Sequence, residues 1–146
     1  MKTAAQILRA KPDQTVHVMG PTASAYDAVR LMADKNIGAL VVVEHGKVVG
    51  IVSERDYARR IVLMARSSKE TPLADIMSSP VMYVLPEQTS EECMALMTEN
   101  RLRHLPVMDG GQLIGLISIG DLVKATIAEQ QFIIEQLEHY ISGQRD

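Results

Sequence analysis

One cysteine, one phenylalanine, four tyrosines and no tryptophan stand among 146 residues. Cys93 has no partner within the chain, so no internal disulfide can form, and a reducing, cytoplasmic setting is expected. So few aromatic rings cannot build a stacking platform for single-stranded nucleic acid. No apolar run approaches the roughly 18 residues of a spanning helix, and the first residues lack the apolar stretch of a secretory signal. No membrane association is therefore expected. The net charge is only −3, which gives no general reason for a nucleic-acid or membrane-surface partner. His17, His45, His104 and His139 show no metal-ligand spacing. Nothing marks a strained nucleophile, so neither a catalytic residue nor a metal site is expected. What is present is ordinary globular material: 47% hydrophobic and 23% charged residues, with nine methionines that suit an aliphatic, adaptable core.

The chain also repeats itself. Gly50 to Asp56 reads GIVSERD, and Gly115 to Asp121 reads GLISIGD, an offset of 65 residues. The offset holds without a gap towards the start of each copy. It pairs Val16 with Val81, Pro21 with Pro86, Met32 with Met97, Leu40 with Leu105 and Gly46 with Gly111. The fold thus reduces to one half-chain, and any site is one of a pair.

In the first copy, Val16 to Met19 is a short extended run ended by Gly20-Pro21. Ser24 or Thr22 can cap the helix that follows, in which Ala28, Leu31, Met32 and Lys35 fall at helical spacing. Asn36-Ile37-Gly38 ends it. Ala39 to Val43 is a β-branched strand, Glu44-His45-Gly46-Lys47 a hairpin turn, and Val48 to Val52 the returning strand. Ser53 opens a helix through Val62 or beyond. The second copy matches: Val81 to Leu85 extended, Glu91 to Asn100 helical, Leu105 to Met108 and Leu113 to Ile117 as strands around Asp109-Gly110-Gly111, and a last helix from Ser118. Cys93 matches Ala28 on the apolar helix stripe and is expected in the core.

The fold class is therefore α/β (α+β): two pseudo-symmetric β-α-β-β-α units with an extended C-terminal helix. A unit of this size buries too little surface alone. The strands look apolar on both sides, which predicts two units packed sheet to sheet. The divisions expected are residues 3–66, a polar linker at 67–72, residues 73–127, and a helix and tail at 128–146. In the C-terminal helix, Ile127, Ile134 and Ile141 recur every seven residues, as do Val123, Gln130 and Leu137. This pattern suits either a helix pairing with another helix or one lying back on its own domain.

The repeated motif is glycine, two apolar residues, Ser-x-x-Asp. A strand leads to Ser53 or Ser118 and a helix begins there. Free N–H groups and the positive end of the helix dipole suit a phosphate. The serine hydroxyl adds a donor, and Asp56 or Asp121 can accept from a ribose diol. The same spacing is also that of a capping box, with serine as the cap and the acid three residues on. The residues alone leave both readings open.

These motifs, with Leu105-Pro106-Val107 and the leader Leu73-Ala74-Asp75-Ile76-Met77, resemble those of a tandem pair of CBS domains, a Bateman module. The resemblance covers about Thr3 to Ile127. It implies a free-standing regulatory protein that binds an adenosine-containing ligand (AMP, ADP, ATP, S-adenosylmethionine or NAD(H)) in clefts between the units. It implies phosphate contacts at Ser53 and Ser118 and ribose contacts at Asp56 and Asp121. Adenine would lie near Val18-Met19 and Ala39-Leu40, or near Tyr83-Val84 and His104-Leu105. A homodimer and an effector protein are the partners implied.

The copies differ in charge. Arg55 and Arg59 lie four apart after Ser53, whereas Ile119 and Gly120 follow Ser118. Arg101, Arg103 and His104 precede the second copy's strand, where the first has Asn36, Gly38 and Ala39. Arg55, Arg103 and His104 are thus further candidates for phosphate contact, with a polyphosphate or dinucleotide expected at one site and AMP at the other. The repeats take up most of the chain, so no separate catalytic or DNA-binding domain is expected. The expected function is an adenylate or nicotinamide-dinucleotide sensor. The competing expectation is a nucleotide-independent interaction module whose motifs are only helix caps.

Overall fold

The structure is a computed structural model in which residues 1–143 are described. The tail expected at 144–146 lies outside the described residues. The chain forms α1 (Ala4–Ala10), β1 (Val18–Met19), α2 (Ala25–Lys35), β2 (Ala39–Glu44), β3 (Lys47–Ser53), α3 (Glu54–Tyr57), α4 (Ser90–Asn100), β4 (His104–Asp109), β5 (Gln112–Ser118) and α5 (Ile119–Ile141). It divides into two compact units. One gathers Thr15–Tyr83 with Gly110–Ile114. The other gathers Met1–Gln14, Val84–Asp109 and Gly115–Asp146.

In the first-copy unit, β1 pairs parallel to β2 with Met19 opposite Val42, and β2 pairs antiparallel to β3 with Ala39 opposite Ser53. Ser24 caps α2 by accepting from the Asp27 N–H. Asn36 ends α2 in the left-handed region, at φ 54°. The β2–β3 turn places both His45 and Gly46 at positive φ, which matches the right-handed twist of the strands it joins. Ala28, Met32, Leu40, Val42, Val52, Ile61, Leu73 and Ile76 make the core.

The second copy follows the same plan. β4 and β5 pair, and Thr89 caps α4 in a capping box with Glu92. Arg101 ends α4 at φ 55°, the counterpart of Asn36. Gly110 and Gly111 supply the positive φ of the hairpin. Its core holds Ile7, Val84, Cys93, Met97, Leu105, Val107, Ile117 and Leu122. Cys93 is fully buried, as its place on the helix stripe predicts.

Three features differ from the sequence expectation. The extended run at 81–85 contributes one bridge, Val84 to Val107, rather than a strand. The strands are not apolar on both faces throughout. Ala39 to Val42 of β2 are all buried, but β3 and β5 alternate, and Ile114 is exposed. The helix expected from Ser53 to Val62 is two short pieces, because after α3 the chain widens into a π turn over Ala58–Val62. Leu63 N–H donates to the Ala58 carbonyl five residues back, which leaves Ile61 in the core and lets Arg60 donate to the Ile76 carbonyl at 2.9 Å. Residues 67–72 are also more than a polar tether. Thr71 is buried, with its hydroxyl donating to the Ser67 carbonyl, and its own carbonyl accepts from Ala25 N–H.

The units also exchange leaders. The segment ahead of the first repeat, α1, belongs to the second-copy unit. Ala4 N–H donates to the Gln88 carbonyl, Ala5 N–H to Pro86, and Ser90 N–H to Lys2. The segment ahead of the second repeat makes the matching bonds in the first-copy unit: Leu73 N–H to Ala23, Ala74 N–H to Pro21, and Ala25 N–H to Thr71. The motif glycines make room for these leaders. Gly50 lies against the Met77 side chain, and Gly115 against Leu8. A Cβ on Gly115 would fall 2.5 Å from both Leu8 methyl carbons. Gly115→Val should therefore lower stability by about 1–3 kcal/mol, read as a fall in the unfolding midpoint. An unchanged midpoint would mean that α1 is not held against β5.

Candidate functional site: two strand-to-helix junctions

Each junction is set by a single backbone bond. Glu54 N–H donates to the Gly38 carbonyl at 3.0 Å, and Ile119 N–H donates to the Arg103 carbonyl at 2.8 Å. The end of the hairpin is thereby fixed to the turn ahead of β2 or β4. The Ser-x-x-Asp motif then folds as a complete capping box in both copies. Asp56 N–H donates to Ser53 Oγ, and Ser53 N–H donates to Asp56 Oδ2 at 2.8 Å. Asp121 N–H donates to Ser118 Oγ, and Ser118 N–H donates to Asp121 Oδ2 at 2.9 Å. These bonds fall on Oδ2 of each carboxylate, so Oδ1 is not used by the box. The capping reading is thus realised, and it leaves an acceptor over in each copy.

The junctions are not equal. In the first, Ser53 Oγ also donates to Asp56 Oδ2, at 3.0 Å. In the second, Lys11 Nζ stands 3.0 Å from Asp121 Oδ2 and donates to the Leu116 carbonyl at 2.8 Å. Burial pushes the Asp121 carboxyl up, but the Ser118 N–H and the Lys11 ammonium outweigh it and hold it below the usual carboxylate range. Lys11 lies far from the motif in sequence and has no local pattern that marks it. It lines a cavity of about 200 Å³ with Lys2, Ile7, Asp121, Lys124 and Ala125. Three ammonium groups around one carboxylate favour an anion, yet the volume is below that of a typical small-molecule site, roughly 300–1,000 Å³.

The other candidates separate by burial. Leu40, Val84 and Leu105 are members of the two cores, and Ala39 is buried with them. Val18 and Tyr83, matched across the repeat, are 45% and 52% exposed and can offer apolar surface to a ligand. Met19 is half-buried and packs on the first core. Arg55 and Arg103 are exposed, and the Arg103 carbonyl accepts from Ile119 N–H. His104 is half-buried beside Asp121, Lys11 and Arg103. Burial pushes its imidazole below the ordinary value; Asp121 opposes this, and Lys11 and Arg103 add to it. The Cys93 thiol is pushed up, first by burial and then by the Glu92 carboxylate, which suits a core residue better than a nucleophile.

A family model for the CBS domain matches residues 5–63 and again residues 73–128. The chain belongs to the CBS-domain family. It is 44% identical over 125 residues to the mitochondrial CBS domain-containing protein CBSX3 of Arabidopsis thaliana, covering 82% of this chain and 61% of that protein. The chain therefore spans less than two thirds of that relative's length. A solved CBS-domain structure from Burkholderia ambifaria, described as that of a signal-transduction protein, superposes with a TM-score of 0.85 at 60% identity, covering 88% of this chain and 96% of that one. The CBS domain pair of protein MJ0100 shares the fold, with a TM-score of 0.77 at 19% identity over 88% of this chain and 98% of its own. This chain is thus a CBS pair of mixed α+β architecture, a regulatory type of module. Among its described residues no helix is long and apolar enough to cross a membrane.

His104 and Asp121 give this CBS pair an acid-sensitive second unit. Both folded values are depressed, so the unfolded chain binds more protons at low pH, and stability falls on acidification. The His104 contribution is whole above about pH 6.5 and is lost as pH drops through the depressed value; that of Asp121 follows below about pH 4. Melting curves between pH 7.5 and 5 should show a falling midpoint in the wild type and a flatter profile in His104→Gln. Identical profiles would exclude His104 as the source.

Proposed function

We propose that this CBS pair is a sensor of adenosine-containing nucleotides, AMP/ATP or NAD(H), bound at its two strand-to-helix junctions. The carrying observation is the Asp Oδ1 left unused by the capping box in both copies. It is a diol acceptor held at the start of a helix. Ser53 meets phosphate at the first junction, with Arg55 following it, and Ser118 meets phosphate at the second, with Arg103 and His104 ahead of β4. Support also comes from MJ0100, whose CBS pair was solved with 5-methylthioadenosine and S-adenosylmethionine.

A ligand moves such a module only through different affinities for two conformations. The altered surface then acts within a homodimer or on an effector protein. The protein adds no chemistry of its own to the nucleotide. Its single, buried cysteine suits a cytoplasmic setting. The two sites differ in charge, because the Asp121 carboxylate that would accept a ribose already carries Lys11 on its Oδ2, whereas Asp56 has no ion-pair partner among the described residues.

A second reading rests on the same boxes: the motifs are caps only, and the module binds proteins without nucleotide. Dye-monitored unfolding in AMP, ATP, S-adenosylmethionine, NAD and NADH separates the two. A ligand at about 100 times its Kd should add roughly 2.7 kcal/mol, a shift of several degrees. Asp56→Ala and Asp121→Ala should each reduce the ligand-induced shift at one site, measured against the variant's own midpoint, since losing the acid of the capping box itself lowers stability. Arg103→Ala should weaken a phosphorylated ligand much more than adenosine. No shift with any ligand, in protein freed of carried-over nucleotide, would leave the interaction reading.

A further inference from the structure

Beyond Glu129, which accepts from the Lys2 N–H at 2.7 Å, every residue of α5 is exposed. Phe132, Ile133, Ile134, Leu137, Tyr140 and Ile141 lie on this stretch and are each more than half exposed. A helical segment this short is marginal in water without cover, and a patch this apolar marks a contact surface. Its period identifies the cover. With Ile127, Ile134 and Ile141 at heptad position a, Val123, Gln130 and Leu137 fall at d, and Lys124, Gln131 and Glu138 at e. This seam lies off the inner face of α5, which buries Leu122 and Ala125.

We propose that α5 pairs antiparallel with α5 of a second copy. The proposal rests on the homodimer reading above and adds the surface and its orientation. In an antiparallel pair, a faces d and e faces e. Setting Ile134 opposite Gln130 of the second copy also sets Ile127 opposite Leu137 and Ile141 opposite Val123. The same alignment brings Lys124 opposite Glu138, twice by symmetry. Parallel pairing makes no ion pair, since it sets Ile133 beside Glu138 and Thr126 beside Gln131, and it stacks Gln130 on its own copy. An anionic membrane is a poorer occupant, because α5 carries Asp121, Glu129, Glu135 and Glu138 against the single Lys124.

Sedimentation of the full chain tests the pairing. Lys124→Glu should raise the dimer Kd about tenfold by setting like charges opposite each other twice. Adding Glu138→Lys should restore it, which a folding defect would not do. Chains carrying Ile127→Cys should form a disulfide with chains carrying Leu137→Cys, and neither should cross-link alone. A dimer unmoved by Lys124→Glu, or one in which Ile127→Cys cross-links to itself, overturns the antiparallel pairing and leaves the homodimer standing. A wild-type monomer at all concentrations overturns both.

Discussion

The exchange of leaders is the constraint on which the rest of this structure depends. A β-α-β-β-α repeat leaves the helix-side edge of its hairpin open. Each copy covers that edge with the segment that precedes the other copy, which three matched backbone bonds tie to the turn and helix start ahead of α2 or α4 and whose side chain a hairpin glycine admits. Gly50 and Gly115 are therefore packing residues first. They stand at the start of the Ser-x-x-Asp motif because the strand that admits the leader is also the strand that delivers the serine. Packing and site share one strand, so the motif is held in both copies whether or not a ligand is present.

A capping box and a nucleotide site make competing claims on the same four residues, Ser53, Asp56, Ser118 and Asp121. The geometry makes them compatible. The box uses Oδ2 and the serine lone pair, and it holds each carboxylate at a fixed angle to the first helical turn. A diol acceptor needs that rigidity. The copies diverge in what else touches the carboxylate, and that divergence comes from α1 through Lys11. The leader that completes the second core thus also tunes the charge at the second junction.

The duplicated architecture was legible because its signals are local. Hairpin turns, left-handed helix ends and the Ser-x-x-Asp spacing all lie within a few residues. Asn36 and Arg101 end their helices alike although only asparagine advertises it. What was not legible depends on distant partners. Lys11 reaches Asp121 across most of the chain, and no pattern around it says so. The exchange left a trace, since Ala4 to Leu8 resemble Leu73 to Met77 at a spacing of their own rather than at the repeat's 65. The π turn over Ala58–Val62 has no trace at all, because those residues suit a regular helix equally well.

The exchange also imposes an order on biosynthesis. Residues 15–83 are nearly sufficient for one unit, so that part can collapse while the remainder is still being made. The segment ahead of them cannot. It is made before them, yet the strand and helix start that receive it are made after them. Until those residues are made α1 has Ile7 and Leu8 uncovered, and closing the long loop between α1 and its partners carries an entropic cost.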